Sequence, residues 1–217
     1  MSRVYILVEG QTEEAFLNEL MVQPYARKGV YLTPIIINTS ASHKGGLSSY
    51  SKVKPQIEKL CKQDSKAYVS TFFDYYALPK DFPGNRELSS FGAATGTAKV
   101  AYLEQQLGAA IARPNFFPNL TLHEFESLLL TDVDAFAEWT DADEVLEPLR
   151  QVRVATAPED INNNALTAPS KRILSAMPEY QKTLHGPLIA LAIGLDAIRG
   201  ACPHFNCWLD KLDGLSP

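Results

Sequence analysis

Three stretches of this chain end an apolar run on an acid. Val4-Tyr5-Ile6-Leu7-Val8 stops at Glu9-Gly10, "FFD" stops at Asp74, and "NLTLHEFES" carries His123, Glu124 and Glu126. A carboxylate at the tip of a buried segment is costly unless it is solvated, paired or bound to a cation. Acids gathered at one point hold magnesium through oxygen ligands and usually leave waters on the metal. Those waters supply a nucleophile or meet substrate phosphates. Singly, each acid has an ordinary explanation. Glu9 can be an exposed strand end, Asp74 the start of a turn, and Glu124 and Glu126 a helix start whose dipole favours negative charge. Glu13 and Glu14 share that last explanation, which is preferred for Glu14. Together, at the ends of neighbouring strands, the acids are more specific than any one of them.

"HEFES" allows two geometries. If extended, Glu124 and Glu126 share a face and His123 points away. If helical, His123 and Glu126 are neighbours. The spacing is not the His-Glu-x-x-His of zinc peptidases, and no Gly-x-Ser-x-Gly elbow supports a serine nucleophile. The basic candidates are Lys44, in "HKGG", and Lys171-Arg172, in "APSKR", with Lys182, Arg199 and His204 further on. Backbone amides of the glycines beside Lys44 could help it meet a phosphate, although the pattern is not a Walker A loop. Lys171 and Arg172 at a helix start could bind an anion or simply lay their stems over apolar surface. His204 lies between Cys202 and Cys207; packing beside Phe205 and Trp208 explains it more simply than a metal does.

The elements that must position these residues alternate in type. Residues 3–8 read as a buried strand, and 12–22 as a helix with Thr12 as N-cap. Residues 30–38 read as a strand in which Pro34 marks an edge or a bulge. Residues 49–63 form an amphipathic helix, 66–78 a strand, and 97–112 a helix. Residues 115–130 run from a short strand into a helix. Residues 79–96 make a long loop of the kind that is often functional. Alternation of this sort predicts an α/β fold, a mostly parallel sheet flanked by helices, with ligands at the carboxyl ends of its strands. Beyond residue 131 the pattern becomes helical: 132–153, then 170–177, 185–199 and 204–213. The expected organisation is an α/β core over 1–131 and a C-terminal helical extension over 132–217 packed on it.

Composition narrows the partners. Of 217 residues, 46% are hydrophobic and 21% charged, as in ordinary globular proteins. A formal net charge of -5 lacks the basic excess of a protein that wraps nucleic acid non-specifically, so such contact needs a local patch or a metal-bridged phosphate. Three cysteines suggest reduced thiols in a cytoplasmic protein. No signal peptide or membrane-spanning stretch is read from the sequence.

The motifs also carry a resemblance. "VEGQTEE", "HKGG", "FFDYYALPKDFPG", "HEFESLLL", "APSKRI" and "CPHF" resemble a bacterial family known as domain of unknown function 4276, over nearly the full chain. A strand ending in Glu-Gly, a helix, and a later strand ending in Asp resemble the topoisomerase–primase (TOPRIM) fold and the overcoming-lysogenisation-defect nucleases built on it. That resemblance implies a Mg2+ (or Mn2+) site with Glu9 and Asp74 as ligands, in a TOPRIM-like sheet. This sequence departs from the pattern at Tyr76, where the family's second aspartate would stand. Glu124 or Glu126 would then complete the shell. The implied function is a metal-dependent nuclease in phage or mobile-element defence. It would act on nucleic acid and work with an ATPase of the ABC/AAA type. Glu9, Lys171 and Arg172 would serve catalysis, and Gly10, Lys44, Lys171 and Arg172 would meet phosphate. The alternative is a non-catalytic partner or sensor subunit that keeps the fold, with transfer chemistry on a small nucleotide as a third option.

Overall fold

The computed structural model describes residues 1–38, 47–92, 94–140, 143–161 and 166–216. Strands β1 (Ser2–Val8), β2 (Val30–Ile36), β3 (Tyr68–Asp74), β4 (Phe116–Phe117) and β5 (Leu120–Thr121) form one parallel sheet. Its order is β2-β1-β3-β4, with β5 continuing along β3. Such a sheet is covered on both faces, which is why its central strands read as unbroken apolar runs. Val4, Ile6 and Val8 of β1 enter one hydrophobic cluster, and Leu7 enters the other.

The register fixes where the acids go. Val8 pairs with Phe72 and Asp74 pairs with Thr121, so the tips of β1, β3 and β5 share one edge. That edge is the carboxyl end of the sheet. Pro34 sits in β2, which is an edge strand, and faces Ile6 in register.

Helices cover the two faces. Helices α1 (Gln11–Phe16) and α2 (Gln23–Arg27) are joined by a π-helical segment, Leu17–Val22. α1 begins at Gln11 behind Gly10, without a side-chain cap. Thr12 is therefore not the expected N-cap: it lies inside the first turn and its side chain is buried. The other face carries α3 (Tyr50–Gln63) and α4 (Gly96–Ile111). Asp81, in the loop that the sequence marked as functional, caps α3: its carboxylate accepts from the amides of Tyr50 and Ser51, both at 3.0 Å.

After α5 (Glu126–Leu129) the chain forms two 3-10 segments, Val133–Trp139 and Asp143–Leu146, and then α6 (Glu147–Ala155). The helical stretch expected over 132–153 is thus two 3-10 segments followed by the start of α6. α7 (Pro169–Ala176), α8 (Lys182–Ile193), α9 (Leu195–Ala201) and α10 (Pro203–Asp213) follow. The helix expected over 185–199 is broken at Gly194, whose φ of +86° is left-handed, and α8 and α9 bend by 86° there. Among the described residues no single helix is long and apolar enough to cross a membrane.

The C-terminal helices pack directly on the sheet. Phe72 of β3 stacks between Phe16 and Trp208, with ring centroids 5.6 and 5.4 Å apart. Trp208 donates its indole N–H to Ser70 Oγ at 3.0 Å, which pins α10 to β3. Glu159 accepts from the amides of His204 and Phe205, both at 2.8 Å, and satisfies the first turn of α10.

Candidate functional site

Glu9 leaves β1 with both carboxylate oxygens engaged by backbone. Oε1 accepts from the Asp74 amide at 2.8 Å and Oε2 from the Leu47 amide at 3.2 Å. Glu9 therefore ties the tip of β1 to the tip of β3. Asp74 in turn accepts at Oδ1 from the Phe125 amide at 2.9 Å, which fixes the chain just before α5. The acids at the sheet edge thus orient one another through main-chain donors.

A lysine from the last third of the chain completes the arrangement. α8 packs against α1 and starts with Lys182. Its ammonium lies 3.3 Å from Glu13 Oε1, 3.3 Å from Glu126 Oε2 and 3.7 Å from Asp74 Oδ2. Three carboxylates from α1, β3 and α5 meet on one cationic atom. The pocket above them has a volume of about 450 Å³, and its lining includes Glu9, Gly10, Glu13, Asp74, Lys182 and Thr183. A larger opening of about 610 Å³ exists, but it is lined by side chains of α3 alone and gathers no acids from elsewhere in the fold.

The charges are unbalanced and mostly buried. Burial pushes Glu9 up to about 6, with the negative charge of Glu13 adding to it and the Asp74 and Leu47 amides opposing. Burial also raises Asp74 well above the usual carboxylate range; Lys182 opposes this, while Glu9, Glu13 and Glu126 reinforce it. Glu126 is raised by burial too, again against Lys182. For Lys182 burial favours the neutral amine, but Asp74, Glu126 and Glu13 outweigh it and hold the ammonium charged. Glu126 Oε2 is buried, and its ion pair with Lys182 lacks the alignment of a hydrogen bond.

The residues singled out from the sequence divide into groups. Glu9, Gly10 and Asp74 line the pocket, and Glu126 reaches the same lysine as Asp74. "HEFES" is neither wholly extended nor wholly helical: His123 has φ +63°, α5 begins only at Glu126, and the two glutamates face different partners. Glu124 goes to α7, where its carboxylate accepts from the amide of Ser170 at 3.0 Å and from its hydroxyl at 3.1 Å. Lys171 and Arg172 line a separate depression between α6 and α7 with Leu149 and Val152, and Arg172 donates to the Thr167 carbonyl at 2.7 Å. Lys44 lies outside the described residues. Gly10 is extended, φ -163°, a conformation open to any residue; what its missing side chain leaves is space 3.4 Å from Glu13 Oε2. Tyr76 donates its amide to the His123 carbonyl at 2.7 Å. His204 is spent on Glu104 Oε1 and the Leu120 carbonyl, at 3.1 and 3.0 Å.

Glu13 and Lys182 were noted in the sequence as an acid and a base but were not placed among the site residues. A signal existed for Lys182: a lysine opening an otherwise apolar helix faces the positive end of the dipole, which is unfavourable without nearby acids.

The donor set suits a hard divalent cation, because every candidate ligand is a carboxylate oxygen and the buried Glu126 Oε2 has no aligned donor. As they stand, the acids surround the ammonium without closing on a metal position: among the described residues no three His, Cys, Asp or Glu side chains are set to hold an ion.

A model of the family described as "Domain of unknown function (DUF4276)" matches residues 8–213. Two solved structures are similar over nearly the whole chain. The C-terminal region of the Burkholderia pseudomallei OLD protein is 17% identical, with a TM-score of 0.44, and the match covers 98% of this chain and 99% of that one. The C-terminal region of the Xanthomonas campestris pv. campestris OLD protein is 17% identical, with a TM-score of 0.41, covering 97% and 95%. No curated protein matches the sequence.

Proposed function

The chain belongs to the DUF4276 family, and from the acids at its sheet edge we propose that it is a Mg2+- or Mn2+-dependent nuclease. The observation that carries this is the convergence of Glu13, Asp74 and Glu126 on one cationic atom above the carboxyl ends of parallel strands. In such folds that edge is where ligands bind. Asp74, Glu126 and Glu13 would hold the metal, and Glu9 would orient Asp74 through its amide. A bound divalent ion would polarise a phosphoryl oxygen and lower the pKa of its water toward neutrality.

The chain's own residues supply the rest. Glu9, raised to about 6, is poised to take or return a proton near neutral pH. Lys182 faces the pocket with a fixed positive charge that can meet the charge developing on a phosphate. Glu124 holds α7, and Lys171, Arg172 and Lys44 would contact phosphates further along the substrate. With a formal net charge of -5, recruitment to nucleic acid by a partner, the ABC/AAA-type ATPase that the resemblance implies, is part of the same proposal, as is a role in defence against phage or mobile elements.

Purified protein incubated with plasmid DNA should cleave it only with Mg2+ or Mn2+, and Asp74→Asn and Glu126→Gln should each lower the rate by at least about a hundredfold, the scale of losing one charge-stabilising group. Cleavage that persists unchanged in both variants would sink the proposal. A second reading, a non-catalytic partner or sensor subunit, is favoured by one observation: the family's second aspartate is replaced by Tyr76, while Lys182 already neutralises part of the acid cluster. It predicts that the same variants leave partner binding and biological activity intact.

A further inference from the structure

Lys182 stands where a cation would. Its ammonium is 3.3 to 3.7 Å from three carboxylates that come from three separate elements. Hard divalent ions need those oxygens much closer, at about 2.0–2.6 Å. The acids are thus splayed around an ammonium. The pairing is imperfect, because Glu126 Oε2, on a residue only 1% exposed, receives no aligned hydrogen bond. The dipole of α8 disfavours a lysine at its start, so the acids and the Phe125 ring, 5.7 Å away, are what hold it there. The side chain is 37% exposed and borders the open pocket, so the ammonium can leave without disturbing α8.

Resting on the metal-dependent reading above, we propose that Lys182 is an internal occupant of the cation site. Its ammonium must leave the acids before they can close on a divalent ion. The two cations then exclude each other: occupancy by the lysine weakens the metal, and a bound metal frees the lysine for the pocket, where a substrate phosphate would meet it. The coupling is reciprocal, as linkage requires. In the free protein the ammonium offsets part of the charge of the acids, which engage metal only by expelling it.

Two measurements decide it. Titration calorimetry with Mn2+ alone should show Lys182→Met binding the ion at least about tenfold more tightly than the wild type, a difference of ~1.4 kcal/mol. In the wild type, acylation of Lys182 by an amine-reactive ester, read by mass spectrometry, should quicken when Mg2+ is added. Equal affinities in the two proteins, or labelling that is indifferent to a bound ion, would overturn the exclusion. If Lys182→Met does not fold, the labelling of the wild type decides alone. Failure of both proteins to bind Mn2+ overturns the metal reading itself, and this inference with it.

Discussion

Replacing Glu9 by glutamine should change stability in opposite directions at the two ends of the pH range. Glu9 lies at the tip of β1, with its ordinary value of 4.5 raised to about 6, mainly by burial. A folded-state value above the unfolded one means that the native chain binds this proton more tightly. The resulting stabilisation is complete below pH 4.5 and is lost as pH rises through about 6. At ~1.4 kcal/mol per pH unit, the ionised carboxylate weakens the fold by about 2 kcal/mol at pH 8 relative to pH 4.5. Glutamine carries no such charge. Its oxygen can still accept from the Asp74 amide, but its NH2 group cannot accept from Leu47, which costs about 1 kcal/mol. Glu9→Gln should therefore be about 1 kcal/mol more stable than the wild type at pH 8 and about 1 kcal/mol less stable at pH 4.5. Urea denaturation of both proteins at several pH values, with a chelator present throughout, measures the difference directly. A difference that stays constant from pH 4.5 to pH 8 would refute the reasoning, because Glu9 would then not be titrating in that window.

Two further outcomes concern the framework behind the site. Phe72→Ala should cost about 3–5 kcal/mol in urea or thermal unfolding, because the ring is fully buried between Phe16 and Trp208 and its removal leaves a cavity in the central strand. Glu159→Ala should cost about 2 kcal/mol by the same measurement, since the amides of His204 and Phe205 lose a charged acceptor; an unchanged midpoint would show that water serves those amides equally well.

Much of the sheet was legible because its signals are local. The apolar runs of β1 and β3 each end on an acid, and parallel pairing in register carries those acids to one edge without further information. Glu126 was legible as a candidate but not its route, since only the start of α5 at this residue turns it to Lys182 while Glu124 faces α7. Glu13 and Lys182 were visible as an acid and a base but not as site members, for a related reason. Glu13 looks like any acid in a first helical turn, and its role depends on α8 packing against α1 from far along the chain. Lys171 and Arg172 showed the opposite: a basic pair at a helix start looks functional in one dimension, and the fold lines a depression between α6 and α7 with it. Thr12 has the chemistry of a cap, but the helix begins one residue earlier, so its side chain is buried instead.

The ends of the sheet have a bearing on solubility. One lateral margin is β2, where Pro34 withholds a backbone donor; the other is made of β4 and β5, two residues each. A strand from another molecule that tried to extend the sheet would meet a missing hydrogen bond on one side and almost no ladder on the other. A parallel sheet assembled from distant segments is exposed to self-association while it folds. Here the two surfaces best suited to templating aggregation are blunted by the strands themselves, so a highly apolar central ribbon can stay dispersed in a crowded solution.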